Sequence, residues 1–458
     1  MTTARKPEEQ VLELIRHRAW QKARSELDGW HPADIVDLLE QAPENTRPRV
    51  FRLLAEGAKP EVLAELDQNL AAELLTSLNA KEIADIAKRM APDDAADVLA
   101  NLPAERSQRV LSLMEKDESA DIRRLLEYEA DTAGGIMTTD VVALREDQTV
   151  AEALDAITSL DTAERFQYAN IVERRGRMVG FVDVWELLRE RNRQRPLGEL
   201  VHTDFIAVDV AMDQEQVARL MSRYGLSVVP VLDSQGRLVG RVTADDVIDV
   251  MEEEASEDIF RMAGSDDAEL GSRSVLRSCI LRLPWLLVTL AGSTVTSMIL
   301  KTYHAYISHI MVLGAFVPAV LAMGGNTGIQ SSTLIVRSIA LGTLKRGRVA
   351  VLLLKEIATG ALMGCVCGVG IGFFAHFVVA GGSPASGFAP GYLGLIVATA
   401  LFSAMTFAAV FGAVVPIILH KTRVDPAMAS GPFITVANDI SALLIYFGVT
   451  ILMITRAA

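Results

Sequence analysis

Pro432-Phe433-Ile434-Thr435-Val436-Ala437-Asn438-Asp439-Ile440-Ser441-Ala442-Leu443-Leu444-Ile445-Tyr446-Phe447 decides the architecture, because an apolar run of helical length carries a single acid near its middle. The run extends from Pro426 to Thr455 with Asp439 as its one charge, and roughly 20 apolar residues suffice to cross a bilayer. A carboxylate at such a place costs about 2.5–3.5 kcal/mol on insertion scales and usually faces a water-filled path or a partner. The bland reading is a helix-end carboxylate tied to Asn438 or a neighbouring hydroxyl; it carries less weight because no base lies in any other membrane interior. Thr435, one turn earlier, shares the face of Asp439. Two such faces across a dimer axis would make a cation site.

Working outward, Leu283 to Leu300 is 18 residues without a charge, Tyr306 to Val336 is 31, and Ile357 to His420 holds none. The last stretch exceeds one helix and is broken by the Gly/Pro/Ser cluster from Gly381 to Gly391, so five spans are expected in residues 276–458. Beyond residue 275 stand 11 bases and three acids (Glu356, Asp425, Asp439), leaving 33 bases and 55 acids before it, or net charges of +8 and −22. A soluble acidic half and a membrane half fit that division; a wholly soluble enzyme does not. The first residues hold no apolar signal core, so the acidic half is expected in the cytoplasm, where its charge repels nucleic acid.

Orientation follows from the bases. Arg273, Arg277 and Arg282 precede the first span, Arg337, Lys345, Arg346, Arg348 and Lys355 lie between the second and third, and Lys421 and Arg423 between the fourth and fifth. With Lys301 dissenting, these place the N-terminus inside the cell membrane and the C-terminus outside. An odd span count excludes two equal inverted halves, and a homodimer is then the natural route to a symmetric pore. The second span holds Met323-Gly324-Gly325-Asn326-Thr327-Gly328-Ile329-Gln330-Ser331-Ser332-Thr333. Its glycines fit either a local helix break lining a cavity or close small-residue packing; Asn326, Gln330, Ser331, Ser332 and Thr333 add a polar stripe that packing does not need. Cys279, Cys365 and Cys367 lack metal-site spacing and read as buried bystanders.

Residues 133–252 repeat once: Gly-Arg-Met-Val-Gly-Phe-Val at 176–182 recurs as Gly-Arg-Leu-Val-Gly-Arg-Val at 236–242, and Thr-Thr-Asp at 138–140 as His-Thr-Asp at 202–204. Each unit reads strand, helix, strand, turn, strand, helix, with strands at 141–144, 169–173 and 178–182 and again at 205–208, 227–232 and 238–243. This is similar to a tandem pair of CBS domains, an α/β pair with units at 133–195 and 196–252. The resemblance implies an adenine-nucleotide site such as one for ATP at Gly240, Thr243 and Asp246; an ordinary strand end with Thr243 as helix cap explains the same residues equally well. Residues 1–132 read as an all-α domain of short amphipathic helices, a small helical repeat. Between 245 and 258 stand eight acids and no base, interleaved with Val247, Ile248, Val250 and Met251. That pattern predicts a connecting helix over 253–275 with one apolar side. No nucleophile and base recur at usable spacing, so an enzyme is not expected.

With these residues in hand, the chain resembles the MgtE family of magnesium channels along its full length. Met323-Gly324-Gly325-Asn326, Glu254-Ala255-Ser256-Glu257-Asp258-Ile259, Asp425-Pro426-Ala427 and Asn438-Asp439 carry the resemblance. It implies a homodimer in the lipid bilayer whose pore, lined by Gly324, Gly325 and Asn326, holds hydrated Mg2+ between Asp439 and Thr435 of both chains. It further places cytoplasmic Mg2+-sensing sites at Asp93, Asp97, Asp213, Glu215, Asp246, Asp249, Glu254, Glu257, Asp258 and Asp425. Gly431 stands where a polar Asn is expected in some relatives. The implied function is Mg2+ uptake shut off by cytoplasmic Mg2+. Two other readings are a H+- or Na+-coupled transporter of divalent cations such as Mg2+ or Co2+, and a membrane-anchored nucleotide sensor.

Overall fold

The computed structural model describes residues 7–159, 167–265, 275–307, 311–344, 346–380, 388–422, 424–427 and 431–457. Three expectations lie outside them: most of the Gly/Pro/Ser break, the 266–274 part of the connecting segment, and the bases Arg273, Lys345 and Arg423. Two compact units divide the chain, Met1–Glu252 and Glu253–Ala458.

The first unit opens with ten described α-helices, α1 (Pro7–Arg16) through α8 (Pro92–Ala100) and α9 (Ala104–Leu111) to α10 (Lys116–Leu125). Their short lengths follow from frequent caps. Asn79 and Glu82 form a capping box, Asp67 caps the helix starting at Gln68, and Pro92 opens α8 at a position that needs no N–H. Leu38, Leu39, Leu74, Leu75, Ile83 and Leu99 are fully buried between these helices, at roughly 1.5–3 kcal/mol each relative to exposure.

Two three-stranded sheets follow, β1 (Ala143–Arg145), β2 (Tyr168–Val172), β3 (Met178–Asp183) and β4 (Val208–Asp209), β5 (Val228–Leu232), β6 (Leu238–Thr243). Helices α11 (Val150–Thr158) and α13 (Gln214–Tyr224) link the parallel pairs, while α12 (Val184–Arg189) and α14 (Ala244–Ala263) leave the last strands. The repeat is visible down to the irregularities, a register shift at Ile171/Val172 recurring at Val231/Leu232. Each sheet borrows the segment that leads into the other unit. Thr138 exchanges both backbone hydrogen bonds with Arg241, and His202 does so with Phe181. Those crossings explain two repeated glycines: a Cβ on Gly240 would lie 2.7 Å from Thr138 O, and one on Gly180 would strike His202 O.

The second unit starts within α14, which runs unbroken from the last CBS strand into the acidic segment, so the connecting helix begins earlier than 253. Then come α15 (Val275–Ile307), the short α16 (Met311–Gly314), α17 (Val317–Ala340), α18 (Val349–Ala380), α19 (Pro390–Lys421) and α20 (Pro432–Ala457). Four of these, α15, α18, α19 and α20, are long and apolar enough to cross a membrane, against the five expected. The exception, α17, has 24 residues, but its Asn, Gln, Ser and Thr residues dilute its apolarity. Two boundaries also move. The uncharged run from 306 to 336 is divided between α15, α16 and α17, and α18 begins at Val349, which puts Lys355 and Glu356 inside the helix.

Small residues set the packing here, because helices inside a bilayer gain nothing from excluding water and must approach closely to gain dispersion energy. Gly360, Gly364, Gly368 and Gly372 form a ladder on α18 against α19, with hypothetical Cβ contacts of 2.6 Å to Ala409 Cβ, 3.0 Å to Phe402 O, 2.8 Å to Ala398 O and 2.7 Å to Gly394 O. On α17 the helix is continuous, Gly412 of α19 lies against the Gly328 carbonyl, and Gly324 faces Ala442 of α20. Cys279 and Cys365 are exposed, which corrects the buried reading, and Cys367 is half-buried against the core of the helical unit, all as free thiols.

Replacing Gly368 by Ala should lower the stability of the detergent-solubilised protein by about 1–3 kcal/mol through overpacking. The neighbouring Gly370→Ala, with open space around it, should be neutral or gain up to about 1 kcal/mol of helix propensity. Thermal unfolding of the two variants side by side checks this, and equal effects would argue against the ladder.

Candidate functional site

Asp439 is the eighth residue of α20, half-buried, and no cation pairs with it among the described residues. A Cβ added to Gly325 would lie 3.6 Å from its Oδ1, so α17 approaches the carboxylate through bare backbone. Thr435, one turn before, turns its hydroxyl to Gly431 O at 3.2 Å. The adjoining Asn438 is 1% exposed and pressed against Gly328, with neither amide atom hydrogen-bonded among the described residues.

The polar stripe of α17 divides into two faces. Ser331 and Ser332 join Gly324, Gly325 and Gly328 on the buried face, whereas Asn326, Gln330 and Thr333 are exposed at spacings of four and three, a single line along the helix. An exposed line of amides and hydroxyls on a helix of membrane length suits a water-filled path or a second chain, not hydrocarbon. Gly324 and Gly325 are thus buried beside α20, while Asn326 alone of the three is open.

A second group forms in the first unit, where the start of α8 meets the start of α14. Asp93, Asp94 and Asp97 there interact with Asp245 and Asp246, with the buried Arg241 as a nearby base. Burial, then the charges of Asp93, Asp246, Asp97 and Asp245, pushes the Asp94 carboxyl up to about 7. Burial likewise raises Asp246 to about 6, although Thr243 opposes it by donating both its hydroxyl and its N–H to Asp246 Oδ2. Asp249, on the next turn of α14, is raised by burial and by Asp245 and Glu252. Asp94 escaped the sequence reading; its signal was adjacency to Asp93 in the first turn of a helix opened by Pro92.

The remaining expected residues are dispersed. Asp213 caps α13 by accepting from Gln216 N at 3.2 Å, and Glu215 is ion-paired with Arg219. Glu254, Glu257 and Asp258 lie along α14. There Arg261 pairs with Glu257 and also with Asp425 in the segment after α19, whose other oxygen accepts from Ala427 N at 2.8 Å. Residue 431 is pinned in the same place, since a Cβ on Gly431 would strike Met262 O; the Asn expected in some relatives does not fit this approach. Among the described residues no three His, Cys, Asp or Glu side chains are grouped as a metal cage within one chain. In the nucleotide motif, Gly240 is accounted for by the Thr138 crossing, and Thr243 with Asp246 by the two hydrogen bonds that Thr243 donates to the Asp246 carboxylate at the start of α14.

Comparison with known proteins agrees along the chain. Residues 317–449 match the MgtE divalent cation transporter family, 30–131 the MgtE intracellular N domain, and 133–193 and 197–253 the CBS domain. The chain is 35% identical to the magnesium transporter MgtE of Thermus thermophilus over 73% of this chain and 72% of that one. It is 33% identical to that of Bacillus subtilis over 72% and 71%. Among solved structures it resembles the soluble part of a magnesium transporter (27% identity, 54% of this chain, 98% of that one, TM-score 0.48). It also resembles the cytosolic domain of the Mg2+ channel MgtE in complex with ATP (33%, 53%, 99%, 0.48).

Because Asp94 and Asp246 are raised above the ordinary carboxylate value of about 4, their contribution to the compact unit is full below that pH and lost as pH rises through about 6 to 7. Without divalent cations, the first unit of the full-length protein should unfold at lower temperature near pH 8 than near pH 5.5. Asp94→Asn should remove much of the difference, on the order of 1–3 kcal/mol near pH 8. An unchanged pH dependence in that variant would place the strain elsewhere.

Proposed function

The chain belongs to the MgtE family of magnesium transporters, and from that premise we propose that it is a Mg2+ channel for uptake, closed by cytoplasmic Mg2+ acting on its acidic residues. The observation that carries the reading is Asp439, a carboxylate without a cationic partner among the described residues, on a membrane helix faced by bare glycine backbone. Mg2+ dehydrates reluctantly and is typically held by one or two carboxylates with retained waters. One Asp439 from each of two chains on a two-fold axis would supply that set. The exposed Asn326, Gln330 and Thr333 support such a wet axis, with α17 as the fifth span beside the four apolar helices.

Closure rests on the acidic groups. Asp93, Asp94, Asp97, Asp245 and Asp246 repel one another in partly buried surroundings, and a divalent cation bridging them would favour the compact arrangement by its differential affinity. Asp213, Glu215, Asp249, Glu254, Glu257 and Asp258 are further sensing positions. Among the described residues no ligand cage is formed in advance, which suits weak, population-shifting binding of an abundant ion. Between α19 and α20, Asp425 is bridged through Arg261 to Glu257, which ties the connecting helix to the membrane unit and gives closure a lever. An adenine nucleotide such as ATP at Thr243 and Asp246 would have to compete with the hydrogen bonds those residues form. In this reading the cytosolic unit is inside and the C-terminus outside.

Patch-clamp recording with Mg2+ as the outer cation tests the proposal. Inward current should fall as inner Mg2+ is stepped from near zero to several millimolar, and Asp439→Ala should be silent. Neutralising Asp93, Asp97 and Asp246 together should leave the current open at high inner Mg2+. No current, with uptake that follows a proton or sodium gradient, would move the protein to the coupled transporters.

A further inference from the structure

The membrane unit holds a second carboxylate that the ion path above does not use. Glu356 lies on the second turn of α18, is 4% exposed, and accepts a 2.7 Å hydrogen bond at Oε2 from the hydroxyl of Ser331 on α17. No base pairs with it among the described residues, and burying a carboxylate is expensive unless its hydrogen bonds are met. Packing alone gives no reason for an acid here, because the turns on either side are apolar or small: Leu352 and Leu353 join the cluster around Ile335 and Ile339, and Gly360 meets Ala409.

The position of Ser331 supplies the reason. Seven residues separate it from Gly324, close to two helical turns, so both lie on one face of α17. That face carries Gly325 to Asp439 and Gly328 to Asn438. Around the carboxylate its contacts, Gly324 to Ala442 and Gly328 to Gly412, are backbone against small residues, which hold distance but resist rotation and sliding poorly, and the bulkier packing of Ile335 and Ile339 lies at the far end of the helix. Thr327 and Ser338 spend their hydroxyls on their own helix, at Met323 O and Leu334 O, and the Ser332 hydroxyl has no partner among the described residues. Ser331 to Glu356 is therefore the directional side-chain bond leaving α17 among the described residues.

We infer that Glu356 is a positioning residue for the ion path: through Ser331 it fixes the rotation of α17, and with it the approach of Gly325 to Asp439. The inference rests on reading Asp439 as the ion site. It predicts that the hydrogen bond, not the charge of Glu356, is what matters.

Mg2+ uptake by the full-length protein in liposomes loaded with a Mg2+-sensitive dye reads this out whether transport is channel-like or coupled. Ser331→Ala and Glu356→Leu should each raise the half-saturating outer Mg2+ about ten-fold, the size common for groups that orient a metal's ligands. Their double variant should be no worse than either single, and Glu356→Gln, which still accepts from Ser331, should behave as the native chain. Because Glu356→Leu risks the fold, Ser331→Ala, which deletes one oxygen, carries the decision. Native half-saturation in Ser331→Ala, or a Gln variant as impaired as Leu, overturns the positioning role. Asp439→Ala in the same assay separates the two failures: unaltered uptake there sinks the reading of the ion site, whereas loss of uptake there with native behaviour in Ser331→Ala sinks only the role of Glu356.

Discussion

A carboxylate inside an apolar helical bundle must find water, a cation or a hydrogen bond, and the arrangement around Asp439 follows from that need. The helix that carries it is faced by glycine backbone at Gly325 and Gly328, so its polar groups meet carbonyls and amides already committed to a helix rather than bulky side chains. Close approach of that kind requires α17 to be rich in small residues, and the same composition leaves it outside the four described helices that are long and apolar enough to cross a membrane. One constraint thus accounts for both the glycines and the weak hydropathy of α17.

The first unit meets the opposite problem, too many acids in too little space. Asp93, Asp94 and Asp97 stand at the start of one helix and Asp245 and Asp246 at the start of another, where helix N-termini favour negative charge. Bringing the two starts together sets that local preference against mutual repulsion, and the raised Asp94 and Asp246 record the conflict. The borrowed segments at Thr138 and His202 tie the two sheets together, so relief at one start of a helix is felt by both sheets.

Helix α14 belongs to both themes. It begins with Asp246 hydrogen-bonded by Thr243 and ends with Arg261 on Asp425 and with Met262 O against Gly431. A helix transmits displacement along its axis because its backbone bonds are internal, and this one has specific side-chain contacts at both ends. Arg261 is also a cation already placed among acids for which the family resemblance implies Mg2+, so any ion entering there competes with a tethered guanidinium.

The sequence by itself determined the division into an acidic half and an apolar half, the tandem repeat with its strands, the position of Asp439 in a membrane helix, and the candidate acids. All of these are local: charge counts, periodicity and a repeated motif are properties of short windows. Only the tertiary structure decided which side of α17 is buried, that Gly240 serves a strand crossing, that Asp94 joins Asp93 and Asp246, and that Glu356 is drawn into the bundle to meet Ser331. The span count shows the boundary between the two, since hydropathy averages over a helix while packing distinguishes its faces. Burial and repulsion depend on distances between residues far apart in the chain, and those exist only once the helices have packed.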